Sequence, residues 1–76
     1  MTRADQVYSE VTRAAAAGRD LEEATALVHG IVGFEREPVE QALELCLAAM
    51  RSDGETTTLV RVRQLLQGML AAGLWQ

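Results

Sequence analysis

Apolar residues recur at helical spacing in four separate stretches of the chain, and no stretch alternates as a strand does. This pattern predicts helices over residues 3–17, 21–32, 38–50 and 59–72. Start signals support these bounds, because Thr2 and Asp20 are suitable N-caps and Pro38 suits a first helical position. Threonines precede the fourth helix, and glycines follow the first, second and fourth as natural stops.

The third predicted helix, Pro38 to Met50, carries the broadest apolar surface of the chain. Its apolar side chains cover an arc of about 200°, roughly twice the stripe of an ordinary surface helix. They are Val39, Ala42, Leu43, Leu45, Cys46, Leu47, Ala49 and Met50. A helix buried on so wide an arc needs neighbours on several sides. We therefore expect an all-α fold, a compact bundle of four short helices with the third helix central.

Length and composition favour one small domain, residues 1–76, that gains stability from a partner. The chain has 76 residues, of which 49% are hydrophobic, so its core is small. Small domains often add a disulfide, a metal or a second subunit. The lone Cys46 excludes an intramolecular disulfide and fits a reducing compartment. Since we also find no signal peptide or transmembrane run, we expect a cytoplasmic protein that forms a homo-oligomer, such as a homodimer.

Charge is distributed unevenly along the chain, whose net charge is −4. Residues 1–50 carry four arginines against nine acids, giving −5, and residues 51–76 carry three against two, giving +1. An acidic chain lacks the positive charge that phosphate binding needs, so only the last third is suited to nucleic acid. Every basic residue is arginine and alanine is abundant, which fits a GC-rich bacterial or phage genome.

The side chains that most often carry chemistry stand alone in this sequence. His29 is the single histidine and has no partners, so we expect it on the solvated surface. Cys46 lies within the apolar arc and is expected to be a small core residue. Glu37, Glu40 and Glu44 share one helix edge, which suits docking of a basic partner better than acid–base catalysis. We predict no enzyme activity, no cofactor, no metal and no small-molecule ligand.

The stretch LVRVRQLLQGMLAAGLW is an apolar-spaced helix that carries Arg and Gln outward. It resembles the recognition helix of winged-helix and helix-turn-helix proteins, in which such side chains contact phosphates and base edges. The resemblance implies DNA contacts from Thr57, Thr58, Arg61, Arg63, Gln64 and Gln67. The acidic edge of the preceding helix would face the phosphate backbone, which is unfavourable. A small DNA-binding transcriptional regulator is therefore the alternative hypothesis.

The first hypothesis is protein association through a helix face. Leu74 and Trp75 form an apolar tail that either closes the core or meets a partner. Together with Leu47 on the central helix they are the expected contacts, with Glu40 and Glu44 at the rim. We expect a small non-enzymatic interaction or regulatory protein, with itself or another protein as partner and no membrane contact.

Overall fold

The computed structural model describes all 76 residues and contains four α-helices and no strand. The helices are α1 (Arg3–Ala16), α2 (Leu21–Val32), α3 (Glu37–Asp53) and α4 (Thr57–Ala71). Their bounds lie within three residues of those predicted from the apolar spacing. The predicted all-α bundle of four short helices is confirmed.

The first two helices begin at the side-chain caps that were predicted from the sequence. The hydroxyl of Thr2 accepts from the Asp5 amide at 3.1 Å, and the Asp5 carboxylate accepts from the Thr2 amide at 3.1 Å. Hydrogen bonds from Thr2 to its carboxylate hold the pKa of Asp5 below its usual range. Asp20 accepts from the Glu23 amide at 2.9 Å, whereas the Glu23 carboxylate pairs with Arg19 instead of reaching back.

The last two helices start differently from each other. Pro38 lies in the first turn of α3, where its missing N–H costs no hydrogen bond, and no side chain caps this helix. The hydroxyl of Thr56 accepts from the Leu59 amide at 3.1 Å and caps α4. The helix therefore begins two residues before the predicted start at Leu59.

The core lies where α1, α3 and α4 meet. The third helix packs extensively against α1 and α4, which also pack against each other, while α2 covers α1 and part of α4. Valine and alanine supply most of the buried side chains of α1 and α2, and larger side chains come from α4. The bundle is therefore assembled from light stripes on two helices and a heavier one on α4.

The apolar arc of α3 is buried less completely than its width predicts. Val39, Ala42, Cys46 and Met50 are buried, but Leu45 is exposed. Leu43, Leu47 and Ala49 are half-buried. Only α1 and α4 pack extensively on this helix, since α2 lies elsewhere on the bundle. Two neighbours leave the flanks of so wide an arc open to solvent.

Two glycines lie inside helices, and only one of them has a packing role. A Cβ on Gly30 in α2 would have no neighbour within 4 Å. A Cβ on Gly68 in α4 would lie 3.1 and 3.2 Å from the two methyl carbons of Leu21. Gly68 therefore lets the start of α2 approach α4, whereas Gly30 only weakens its helix.

This difference gives a matched pair of substitutions. Gly30→Ala should raise the free energy of unfolding by about 0.5–1 kcal/mol, because alanine is the better helix former. Gly68→Ala should raise the free energy of unfolding by less than Gly30→Ala does, or lower it, because Leu21 must move away from the new methyl group. Urea unfolding followed by far-ultraviolet circular dichroism measures both. An equal gain at the two positions would contradict the packing role of Gly68.

Candidate functional site

The chain folds back after α4 and buries its single tryptophan. Gly73 adopts a φ of 70°, in the left-handed region that glycine favours, and turns the backbone. The indole of Trp75 then enters the core with 7% of its surface exposed. Its Nε1–H donates to the carbonyl oxygen of Met69 at 2.9 Å. Trp75 therefore closes the core of its own chain.

The last residue pairs with the connection between α2 and α3. The Gln76 amide donates to the Phe34 carbonyl at 2.7 Å, and the Arg36 amide donates to the Gln76 carbonyl at 2.9 Å. These reciprocal hydrogen bonds attach the tail to the start of α3. Residues distant in sequence thus form one end of the bundle.

The histidine expected on the solvated surface is part of this end. The His29 ring stacks on Trp75 with centroids 4.3 Å apart and contacts the Phe34 ring at 4.8 Å. Its Nδ1 lies 2.7 Å from the Gly33 carbonyl oxygen, which can only accept, so this nitrogen carries the proton. His29 is half-buried, so it remains at the surface as predicted, but it is not isolated there, because the returning tail covers one side of its ring.

Two large apolar side chains remain exposed beside the buried tail. Leu74 is 53% exposed and Phe34 is 58% exposed. The hydrogen bond between Gln76 and Phe34 holds the two segments together, and we call Phe34 with Leu74 the end patch. Sequence reasoning missed Phe34, because a residue after a helix stop has no periodicity to mark it. Its place at the patch is revealed only by the pairing of the tail with the α2–α3 connection, which is a tertiary contact.

The other predicted interface residues lie on α3, in a row that starts next to the end patch. Glu40, Glu44 and Leu47 form what we call the α3 edge, which spans about 10 Å at 1.5 Å per residue. Glu40 accepts from Arg36 Nε at 3.3 Å, and the Arg36 amide binds the tail, so the edge begins beside the end patch. Glu44 is exposed and forms no ion pair, while Leu47 is half-buried against the core.

Carboxylates dominate the surroundings of the end patch and the α3 edge. Glu35 pairs with Arg3 at 2.6 Å, and Glu37 accepts from the Gln41 side chain at 3.2 Å. With Glu40 and Glu44 this makes four acids, against the three arginines Arg3, Arg36 and Arg51, of which Arg51 shares the α3 face of Glu40 and Glu44. The surface therefore carries an excess negative charge that favours a basic partner.

The residues proposed for DNA contact lie on the outer side of α4, but its two cations diverge. Arg61 and Arg63 point about 160° apart around the helix. The Arg61 guanidinium donates to the Arg19 carbonyl oxygen at 3.4 Å, and Arg63 pairs with Glu55 at 3.7 Å. Between these flanks Thr57, Gln64 and Gln67 are exposed, whereas Thr58 lies on the inner side of Arg61 and is half-buried. The outward centre of α4 is polar and uncharged.

The remaining candidate for chemistry, Cys46, lies in the core. Its Sγ donates to the Leu59 carbonyl oxygen at 3.5 Å, and burial raises the pKa of the thiol. Burial likewise raises the pKa of Tyr8. Three or more His, Cys, Asp or Glu side chains nowhere gather in an arrangement able to hold a metal ion. None of the four helices combines the length and apolarity needed to cross a lipid bilayer.

Comparison of the chain with protein-family models, with curated proteins and with solved structures gives no match. The function must therefore be argued from the surface of the molecule itself.

Substitutions of the buried Trp75 and the exposed Leu74 should have different effects on stability. Trp75→Phe keeps a buried ring but leaves the Met69 carbonyl without its donor, so we expect a loss of about 1 kcal/mol or more. Trp75→Ala should cost about 3–5 kcal/mol. Leu74→Ala should change the free energy of unfolding by less than about 0.5 kcal/mol. Thermal unfolding compares the three, and equal losses at both positions would contradict this arrangement.

The thiol of Cys46 reports on opening of the core. Because burial raises its pKa, the thiol stays protonated near neutral pH and is shielded from solvent. We expect Cys46 in the native protein to react with Ellman's reagent on the order of a hundredfold more slowly than in the protein unfolded by guanidinium chloride. This ratio corresponds to a free energy of core opening of about 3 kcal/mol. A native rate close to the denatured rate would mean that Cys46 is accessible.

Proposed function

We propose that this protein is a small, non-enzymatic interaction or regulatory protein of the cytoplasm that docks partners through a helix face and self-associates. The observation that carries the proposal is the end patch, where Phe34 and Leu74 are both more than half exposed beside the buried Trp75 and the half-buried His29 that stacks on it. Monomeric surfaces scatter such side chains singly, whereas neighbouring large apolar groups mark contact sites.

The base of the end patch favours binding because it is ordered before a partner arrives. Trp75 is hydrogen-bonded to Met69 and stacked on His29, and Gln76 is paired with the α2–α3 connection. A surface held in this way loses little conformational entropy on association. Apolar anchors beside a charged rim also match the usual anatomy of an interface.

The α3 edge supports a basic partner for this surface. Glu44 has no ion pair of its own, and Glu40 shares only the partly exposed Arg36. A basic amphipathic helix could place apolar side chains on the end patch and cations along the edge. Two copies of the edge would bring like charges together, so this face suits another protein better than itself.

The alternative we carry is DNA binding through α4. It is favoured by the short connection of residues 54–56 between α3 and α4, which begins with glycine as many helix-turn-helix turns do. It ranks second because Arg61 and Arg63 diverge and each already has a partner on its own flank. Productive phosphate contact requires both cations to be released towards one surface.

Fluorescence of the single tryptophan tests docking, since Trp75 lies directly below the end patch, and fluorescence anisotropy of a labelled duplex tests the DNA alternative. The probes are a short basic amphipathic peptide and mixed-sequence duplex DNA, each titrated at low and moderate salt. We expect the peptide to bind, Leu74→Ser to weaken binding by roughly tenfold, and Glu44→Gln to reduce its salt dependence.

Leu45→Ser is the matched control. Leu45 is an exposed leucine like Leu74, but it lies on the flank of α3 that faces away from the α3 edge. The substitution should leave peptide binding unchanged. A DNA complex that dissolves with salt and is lost in Arg61→Ala with Arg63→Ala would instead favour the alternative. Equal effects of Leu74→Ser and Leu45→Ser would contradict docking at the end patch.

A further inference from the structure

A second surface, between α1 and α2, has a different chemical character. We call it the α1–α2 groove, and it offers about 560 Å³ of space that is open to solvent on one side. Its apolar lining consists of Ala14, Ala17, Ala26 and Leu27. Leu27 is 41% exposed although it lies on a helix that packs on the bundle. Alanines on both helices leave the groove too shallow to cover this leucine within one chain.

The edges of the groove carry equal numbers of acids and arginines. Glu10 and Arg13 lie on α1 with 3.5 Å between their charged groups, and Arg19, just before α2, lies 2.8 Å from Glu23 in the first turn of α2. The groove is therefore neutral in a chain whose net charge is −4. It differs in this from the α3 edge, which carries an excess of carboxylates.

We propose that the α1–α2 groove is the self-association face, in which Leu27 of one copy packs on the alanine floor of a second copy around a two-fold axis. This inference rests on the self-association included in the proposed function. A two-fold interface brings the same surface together twice, so the surface must complement itself. The groove meets this requirement, because its two carboxylates and two arginines balance, so the exposed ion pairs made within each copy can be exchanged for equivalent pairs between copies.

Other occupants fit the groove less well. Small-molecule sites combine apolar walls with converging polar groups that fix the ligand, and no buried polar side chain here lacks a hydrogen-bond partner. A strongly basic or acidic segment would gain nothing from a neutral surface. A second copy supplies both a leucine that fits the alanine floor and the opposite charges for the edges.

The size of the groove determines how strong this association is. Stable interfaces bury about 800 Å² on each partner, and a groove with one large apolar side chain lies below this size. We therefore expect a dimer in equilibrium with the monomer. Dilution should dissociate it, and its assembly should depend on Leu27 more than on any other residue.

Sedimentation equilibrium across a dilution series tests the groove. Leu27→Glu should raise the dimer dissociation constant about tenfold or more, because a charge replaces the central apolar anchor. Far-ultraviolet circular dichroism should show unchanged helix content, since Leu27 is partly exposed in the monomer. Leu74→Ser and Leu45→Ser are the matched controls on other surfaces, and they should leave the dissociation constant unchanged.

Charge reversal distinguishes a second copy from any other occupant. Glu10→Arg with Glu23→Arg makes all four edge residues basic, and Arg13→Glu with Arg19→Glu makes them acidic. Each double variant should be monomeric alone, and mixing the two should restore a one-to-one dimer. Failure to dimerise after mixing, with both variants folded, would overturn the proposal.

The outcomes also separate this inference from the proposed function. A wild-type dimer that survives Leu27→Glu but dissociates with Leu74→Ser would overturn the groove and keep self-association. A wild-type protein that stays monomeric at the highest concentration would overturn both the groove and self-association. Peptide binding at the end patch is measured separately and does not depend on either result.

Discussion

Burial of the Trp75 indole is the interaction on which the arrangement of the bundle depends. The core of α1 and α2 is built from valine and alanine, so few side chains are large enough to close its ends. Trp75 returns from the end of α4, hydrogen-bonds to Met69 and stacks on His29 of α2. One side chain thereby joins the last helix to the second, which otherwise share a limited contact. The helices are local structures, and this closure makes their end a single surface.

The same closure creates the exposed end patch. Burying Trp75 requires the backbone to turn at Gly73, and this turn leaves Leu74 on the outside. Pairing of Gln76 with the α2–α3 connection then holds Phe34 at the same end of the bundle. Stability and the proposed docking surface therefore have one structural origin. A change that loosens the tail would weaken both the core and the patch.

The sequence predicts those features that depend on neighbours along the chain. Helix periodicity, the cap at Asp20, the Pro38 start and the buried thiol of Cys46 are all local signals, and the structure contains each of them. It could not reveal the environment of His29 or the role of Phe34, because both depend on a tail more than 40 residues away. The width of an apolar arc likewise does not say how many helices cover it, as exposed Leu45 on α3 shows.

Charge divides the surface of the bundle into faces with different uses. The α3 edge is acidic and would repel a copy of itself, whereas the α1–α2 groove balances its charges and complements itself. The end patch and the α3 edge share no residue with the groove, which α2 borders at Leu27, whereas Phe34 follows the end of this helix at Val32, about 8 Å further along its axis. Self-association through the groove would therefore leave the end patch open. A dimer built in this way presents two docking surfaces, so that a partner with two basic segments would bind with higher avidity than one with a single segment.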